Sequence, residues 1–526
     1  MSHRKFLKPI EENINRSELS RYKKAVFVLH DQLNLNVWPE WIRKEKPLLV
    51  FIESEAKHRE LPYHKKKLTY VISSMRHFAL QCKEEGFSIL YHSTENHYRE
   101  GLMELIEVSP DLQVSYMTPS EWDSRGRLQN LREDFPHQVS EIPNKFFIAE
   151  PDNWKGNINP GYRMEYFYRE MRRKTGYLMN GDQPLGGEWN YDDQNREPLP
   201  EGLLMPEVST IEPDEVTREV MDMVETTFGS HFGTLEDFRY AVTRKQAVDL
   251  LEEFIDERLA NFGPYEDAMA LGQTFLFHSN LSLYLNNGLL LPSEICDRAI
   301  KAYEDGIAPL NSVEGLIRQL IGWREFVRVY YEAMMPAVRD TNFMNFDESL
   351  PEVYWSGQTK MQCVQQSLKP VLEQGYSHHI QRLMVLSNFS NLTKTDPREL
   401  NRWFWLAYAD AYEWVVLPNV LGMSTFADGG VLASKPYVSS GNYINKMSNY
   451  CNSCKYNVNQ KTGVDACPFN YLFWNFVNEQ REVFMRSGRN SFMINMFDKK
   501  AEDEQTAIKE SSKKYLDSLP RSKSRA

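Results

Sequence analysis

Residues 25–54 read AVFVLHDQLNLNVWPEWIRKEKPLLVFIES, and they open the pattern that decides the fold class. Two short runs rich in apolar, β-branched and aromatic residues, AVFVLH (25–30) and LLVFIES (48–54), read as strands; SILYHS (88–93) and QVSYMTPS (113–120) extend the series. Between the second and third runs, Leu68, Val71, Ile72, Met75, Phe78, Ala79 and Cys82 recur at three- and four-residue spacing. That spacing places them on one face of a helix. Strand–helix–strand alternation predicts a parallel, Rossmann-like sheet over 25–150, with helices on its faces and a ligand crevice beyond the carboxyl ends of the strands. The first strand runs straight into His30-Asp31-Gln32-Leu33 with no G-x-G-x-x-G behind it, which argues against an NAD site.

Outside that unit, residues 1–24 form a polar, basic N-terminal extension without the apolar run of a secretory signal. Residues 151–235 hold many glycines and prolines around one helix-like insert, YRMEYFYREMRRKTGYLM (162–179), and read as a long interdomain linker. From 236 to 498 the pattern is helical almost throughout; in VEGLIRQLIGWREFVRVYYEAM (313–334), Leu316, Leu320, Trp323, Val327 and Tyr330 share a side. Residues 499–526, charged and Ser/Lys-rich, read as a frayed helix or tail. The whole chain, 526 residues with 61 Lys+Arg against 73 Asp+Glu, is acidic at −12, which excludes a uniformly cationic nucleic-acid coat. Residues 435–500 run the other way, with nine Lys/Arg against four acids, as either a solvated face or a surface for polyanions. No apolar stretch reaches the roughly 18 residues that span a bilayer, so the expectation is a soluble, cytoplasmic protein acting as a monomer.

Six cysteines are too few for a disulfide scaffold at this size. Four fall in the last third, as Cys363 and the series Cys451-x2-Cys454-x12-Cys467-Pro468. One two-residue knuckle, a lone third cysteine before proline and a remote fourth suit a cubane iron–sulfur cluster. Zinc and buried unliganded thiols stay open on spacing alone. Trp323, Trp355, Trp403, Phe404, Trp405, Tyr408, Tyr412 and Trp414 crowd residues 323–414, as core packing or as stepping stones for electrons. His378 and His379 are adjacent in YSHHIQR (376–382). Neighbours on a helix point about 100° apart, so one of them can serve as a general acid in a cavity without both sharing a metal.

Together these segments resemble the cryptochrome/photolyase superfamily, and within it the bacterial iron–sulfur branch, the prokaryotic (6-4) photolyases. The resemblance spans about 25–495. It rests on HDQL (30–33), HKKKL (64–68), MEYFYREMRRKTG (164–176), GGEWNYDDQNR (186–196), VEGLIRQLIGWREF (313–326), YSHHIQRLM (376–384), ADAYEWVVLPNVLGMS (409–424) and KPYVSSGNYINKMS (435–448). It implies an α/β antenna domain joined by a long linker to an all-helical FAD domain that also carries a 4Fe-4S cluster on Cys363, Cys451, Cys454 and Cys467. FAD contacts would fall on Ser279, Leu281, Ser282, Glu314, Arg318, Gln319, Asp410 and Asn419. An antenna, 6,7-dimethyl-8-ribityllumazine, would sit near Asp31, Gln32 and Glu55. UV-damaged DNA would place a flipped (6-4) lesion against Arg382, Met423, Tyr437 and Tyr443, with Lys446 on phosphates. His379 would donate the proton, supported by His378. Trp403 and Trp355 match the branch's electron line, and Phe404 stands where a relative carries tyrosine. Asp192 is a candidate contributor to a divalent ion, Mg2+, near the lesion.

Three functions follow from this reading. The first is light-driven reversal of (6-4) photoproducts by an electron from photoexcited reduced FAD, with histidine acid assistance. The second is a cryptochrome-type blue-light receptor using the same cofactors. Retention of the histidine pair and of a basic rim favours repair. The third is an iron–sulfur DNA-binding protein such as a primase large subunit, opposed by the antenna-like domain and the flavin motifs.

Overall fold

The computed structural model describes residues 6, 16–487 and 491–522; most of the N-terminal extension and residues 523–526 lie outside them. Five strands, β1 (Lys24–Phe27), β2 (Leu48–Ser54), β3 (Ile89–Thr94), β4 (Gln113–Met117) and β5 (Val139–Ile142), pair in the order β3-β2-β1-β4-β5. Every neighbouring pair is parallel, with Ala25 opposite Leu48 and Lys24 opposite Gln113. All seven residues of β2 are buried, as a strand covered on both faces requires. Four strands match the runs read from the sequence. The fifth, at the edge, buries only Val139 of its four residues, so it carries no apolar run to announce it.

Helix α1 (Lys65–Glu84) crosses between β2 and β3 and ties the sheet to the helical part through its first turn. His64 caps it by accepting from the Lys66 amide at 3.0 Å, while its own backbone amide donates to Leu406 O at 2.8 Å. Lys66 reaches Gln374 at 2.9 Å, and Lys67 donates to Trp405 O and Ala411 O at 2.6 Å each. Burial lowers the pKa of these ammonium groups, to about 8 for Lys66 and about 7 for Lys67. The HKKKL motif is thus an interdomain staple.

The linker is more structured than its glycines suggest. Helix α2 (Met164–Thr175) ends on Gly176 in the left-handed conformation. Helix α3 (Glu215–Thr227) lays Val220 and Val224 into the protein, and its Glu225 pairs with Lys65 at 3.0 Å.

In the helical part, α4 (Leu310–Ile317) passes through a π-helical turn (Arg318–Arg324) into α5 (Glu325–Met334). Helix α6 (Gln362–Gln374) precedes a second π turn (Gln381–Ser387); α7 (Pro397–Ala407) precedes a third (Pro418–Ser424). Helix α8 (Pro468–Glu479) follows the cysteines. The C-terminal segment, expected as a frayed helix or tail, is a packed helix. Residues Glu502–Ser518 form α9, which packs on α8. Ile508 and Ser512 are buried and Tyr515, Leu516 and Leu519 join the same core. These positions recur at helical spacing inside a Lys/Ser-rich composition that hides them. Burying Ile508 alone is worth roughly 2 kcal/mol.

Candidate active site

The three π turns described above carry Arg318 and Gln319, Arg382, and Asn419 and Met423 respectively. A π turn inserts one residue per turn and re-aims the side chains around it, a device common at functional sites. Its signature is absent from the hydrophobic period, so these turns were unreadable in the sequence.

Asp410 is the hub of a polar cluster in the helical part. Arg382 grips its two carboxylate oxygens at 3.1 and 3.0 Å, Ser282 Oγ donates to Oδ2 at 2.7 Å, and Asn286 donates to its backbone carbonyl at 2.8 Å. Arg382, read from the sequence as a lesion contact, is therefore tied to Asp410, which the resemblance gives as an FAD contact. Its guanidinium also lies 4.1 Å above the Tyr408 ring. Leu281 is buried. The loop before it holds Leu276 and Asn280 at φ +48° and +56°, left-handed backbone that non-glycine residues adopt only under constraint. Ser279 Oγ accepts the Leu281 amide at 3.4 Å. Asn419 donates to Val415 O at 2.7 Å.

Three imidazoles meet beside this hub. His278 and His378 stack, and His378 is buried while His379 is exposed to the cavity. Burial, with Arg382 and Arg196 nearby, lowers the His379 pKa to about 4; burial and the other histidines drive His378 well below its ordinary value. The sequence reading missed His278, although it directly precedes Ser279.

Glu314 and Arg318 form no exposed helical pair. Both are buried; Glu314 accepts Tyr168 OH at 2.9 Å, and Arg318 pairs with Glu314 at 3.3 Å and with Asp192. Asp192 is also met by Arg196 at 3.2 Å. Its carboxylate is thus held by two guanidinium groups. Arg196 also faces Glu266 at 3.5 Å and Asp267 at 4.0 Å, and Tyr443 reaches Asp267 at 3.5 Å. Burial pushes the Glu266 carboxyl up to about 7. Met423 is buried, Tyr437 and Tyr443 are half-buried and Lys446 is exposed.

An aromatic line leaves the cavity. Tyr408 stacks on Phe404 at 5.0 Å and meets Trp403 edge-on at 5.8 Å; Trp403 meets Tyr354 at 5.0 Å. Trp355, half-buried, follows Tyr354 in the chain. Trp403 is 1% exposed.

Cys363 at the start of α6, Cys451, Cys454 and Cys467 all line one small cavity with Met361, Ile444 and Tyr450. All four are free thiols. Gly441 lets the backbone approach, since a Cβ there would come within 2.8 Å of Cys467 Sγ. Among the described residues no three His, Cys, Asp or Glu side chains converge tightly enough to hold a single metal ion; the cysteines stand around a space, not at a point.

A separate pocket opens at the carboxyl ends of β1 and β2, between the domains. His30, Ser54, Lys57, Tyr63, Lys67, Glu121 and Tyr412 line it. His30 stacks on Tyr412 at 5.6 Å, and Lys57 pairs with Glu121 at 3.3 Å. The resemblance seats an antenna near Asp31, Gln32 and Glu55. Asp31 accepts Ser120 Oγ, Gln32 donates to Met117 O at 3.3 Å and Thr118 O at 3.2 Å, and Glu55 pairs with Arg59 at 2.7 Å. None of the three lines the pocket.

Residues 26–240 match the family model described as deoxyribodipyrimidine photo-lyase-related protein. A (6-4) photolyase of Agrobacterium fabrum (strain C58 / ATCC 33970) is 44% identical over 473 residues, covering 88% of this chain and 93% of that protein. The chain belongs to the cryptochrome/photolyase family. Solved photolyases and cryptochromes share its fold. A bacterial class III photolyase from Agrobacterium tumefaciens superposes with a TM-score of 0.58 at 15% identity, over 94% of this chain and 98% of that one. A Synechocystis sp. PCC6803 cryptochrome gives 0.53 at 14%, over 81% and 88%.

For a family member, the cavity is poised for a ligand rather than self-satisfied. Asn280 Oδ1, His278 Nε2 and both ring nitrogens of His378 are buried without a hydrogen-bond partner. Buried polar atoms are normally paired, so a polar molecule in this photolyase cavity would relieve several at once. Arg196, Glu266, Asp267 and Tyr408 stand close by; the sequence offered no spacing signal for them because they come from three separate segments.

Proposed function

We propose that the protein is a light-dependent DNA-repair enzyme, a (6-4) photolyase, acting on UV-damaged DNA. The observation that carries this reading is His379, an exposed imidazole next to the buried His378 and close to the Arg382–Asp410 pair. A general acid must be reachable by the flipped base and cannot be sealed in the core. FAD, when bound and reduced, supplies the light-driven electron. The left-handed loop at 276–281 and Ser282 would take its phosphates and ribityl chain. Asp410, Asn419 and the Arg318 turn would face its ring.

The chain's own residues handle the lesion and the proton. Met423, Tyr437 and Tyr443 would hold the flipped bases, with Lys446 on the backbone. In the free protein His379 is neutral at pH 7, because burial, and then Arg382 and Arg196 nearby, disfavour its charged form. A DNA phosphate entering beside these cations offsets them and restores the imidazolium. His379 then gives its proton to the lesion, and His378, stacked on His278, supports it from the adjacent position.

The four cysteines fit a 4Fe-4S cluster, since thiolates spaced about a cavity match a polynuclear centre better than one ion. The interdomain pocket, with the His30–Tyr412 stack and the Lys57–Glu121 pair, would take a flat antenna such as the ribityllumazine. Asp192 offers Mg2+ no free carboxylate. No helix among the described residues is long and apolar enough to cross a membrane, and we place the enzyme in the cytoplasm as a monomer. A cryptochrome role would spare His379. The test is direct: purified, photoreduced protein under blue light restores the bases of a (6-4)-containing oligonucleotide, and an unchanged lesion refutes the assignment.

A further inference from the structure

The C-terminal half of α2 carries an unneutralised cationic patch. Three guanidinium groups surround one indole: the Arg169, Arg172 and Arg173 Cζ atoms lie 5.4, 5.3 and 4.9 Å from the Trp189 ring centre. Lys174 Nζ lies 4.9 Å from the Trp154 ring. Arg172 is the anchor. It is buried and donates to Trp189 O at 3.1 Å, Tyr177 O at 3.4 Å and Leu178 O. Arg173 and Lys174 are exposed and Arg169 is half-buried. Among the described residues, none of these last three, nor the exposed Arg163, has a carboxylate within ion-pair distance, whereas nearby Lys155 and Arg196 are paired.

In a protein with net charge −12, cations left unpaired on one face need a reason. Arg173 and Lys174 sit in the last turn of α2, where the helix dipole favours them. That does not account for Arg163 or Arg169. Among the described residues, the nearby acids Glu165, Glu170 and Glu188 form no ion pair with the group, and Glu170 accepts the Trp154 indole N–H at 2.6 Å. Stacking on Trp189 holds the arginine planes in place, which lowers the entropic cost of binding a flat-faced or forked anion. The patch also borders the active site. Trp189 lies three residues before Asp192, whose carboxylate is bound by Arg318 of the cavity wall.

We infer that Arg169, Arg173 and Lys174, presented around Trp189, are a second contact for the sugar–phosphate backbone of duplex DNA, outside the pocket that takes the flipped lesion. This rests on the repair function proposed above. Backbone phosphates running past the cavity mouth are the polyanion that this geometry and charge recognise.

The experiment compares the FAD-loaded full chain with R169Q/R173Q/K174Q, in which the side-chain stems remain. Binding to a long (6-4)-containing duplex and repair of the isolated lesion dinucleotide are both measured, the former over a range of salt. The slope of log K against log salt is expected to fall by about 2 to 3, with duplex affinity at moderate salt down about tenfold or more. Dinucleotide repair and flavin absorbance are expected to hold. R169K/R173K, which keeps the charge, should retain the wild-type slope. A triple variant with an unchanged slope overturns the inference, as does an R169K/R173K slope as low as that of the triple variant. If the triple variant loses flavin, the single variants R173Q and K174Q decide, each expected to lower the slope by about 1; unchanged slopes in both overturn it. Should wild-type protein leave the dinucleotide unrepaired while binding duplex with the expected slope difference, the repair assignment fails and the backbone contact stands.

Discussion

The imidazoles of His278 and His378 stack with 4.6 Å between centroids and 15° between planes. Two buried rings so close cannot both be charged, and each discourages charge on the other. The proton for catalysis is therefore left to His379, the one histidine of the three that reaches the open cavity. His379→Asn is expected to lower the repair rate about 100-fold or more, the usual worth of a general acid. His278→Gln is expected to shift the pH profile of repair with a smaller loss. Both should retain flavin absorbance, and stopped-light repair assays across pH separate the two effects.

Binding of DNA should take up protons. Free His379 has its pKa held near 4 by burial, Arg382 and Arg196, so it is almost fully neutral between pH 5.5 and 7. Phosphates beside the two arginines raise it, and the imidazole charges as the complex forms. Calorimetric titration of lesion duplex in buffers of different ionisation enthalpy should show uptake approaching one proton per complex near pH 6. His379→Asn should abolish most of it; identical uptake in wild type and variant would sink the proposed proton donor.

Acid stability follows from the same burial. His58, His64 and His278 are lowered to about 3 and His379 to about 4, all chiefly by burial. Their folded values lie below the unfolded value of about 6.5. The unfolded chain therefore binds protons first as pH falls. The stabilising effect of keeping these rings neutral is complete above about pH 6.5 and is lost progressively from there toward pH 3 to 4. Each ring contributes a slope of at most about 1.4 kcal/mol per pH unit. The urea midpoint should drop steeply between pH 7 and 5, and His64→Gln should flatten that drop after losing some stability at pH 7, because it forfeits the 3.1 Å contact to Leu372 O.

Electron supply should run through Trp403. It is buried between Tyr408 and Tyr354, with edge contacts at 5.8 and 5.0 Å, and Phe404 cannot substitute because it has no oxidisable phenol. Trp403→Phe is expected to slow photoreduction of the flavin at least about tenfold while chemically reduced enzyme still repairs. Phe404→Tyr, stacked 5.0 Å from Tyr408, should leave repair intact and add a tyrosyl signal in transient absorption.

How much of this was legible beforehand differs by physical cause. Four of the five strands and α1 announce themselves because burial on both faces, or on one helical face, forces an apolar period. β5 does not, since an edge strand with one buried residue needs none. The histidine pair and the cysteine series are adjacent or closely spaced in the chain, so chemistry could be read from them directly. The Asp410–Arg382–Ser282 hub joins residues 28 and 128 positions apart, and no local pattern records such a meeting. Asp31 and Gln32 stand at the strand end that approaches the interdomain pocket, with side chains turned to Ser120, Met117 and Thr118. His30, the residue before them, is the one that lines it.

Cys363 offers the sharpest test of the metal assignment. It comes from α6, while Cys451 and Cys454 flank a single turn and Cys467 caps α8, on which α9 packs. A cluster bridging them would tie three separate stretches of chain together, and metal binding of this kind is folding free energy. Cys363→Ser is expected to cut iron from about four per chain to below one and to remove the broad visible absorbance. It should also destabilise the protein by more than about 3 kcal/mol, read as a fall in melting temperature and early proteolysis around α8 and α9. Zinc in place of iron in the anaerobically purified wild type would overturn the cluster, and full stability in a metal-free Cys363→Ser protein would reduce the four thiols to a coincidence of packing.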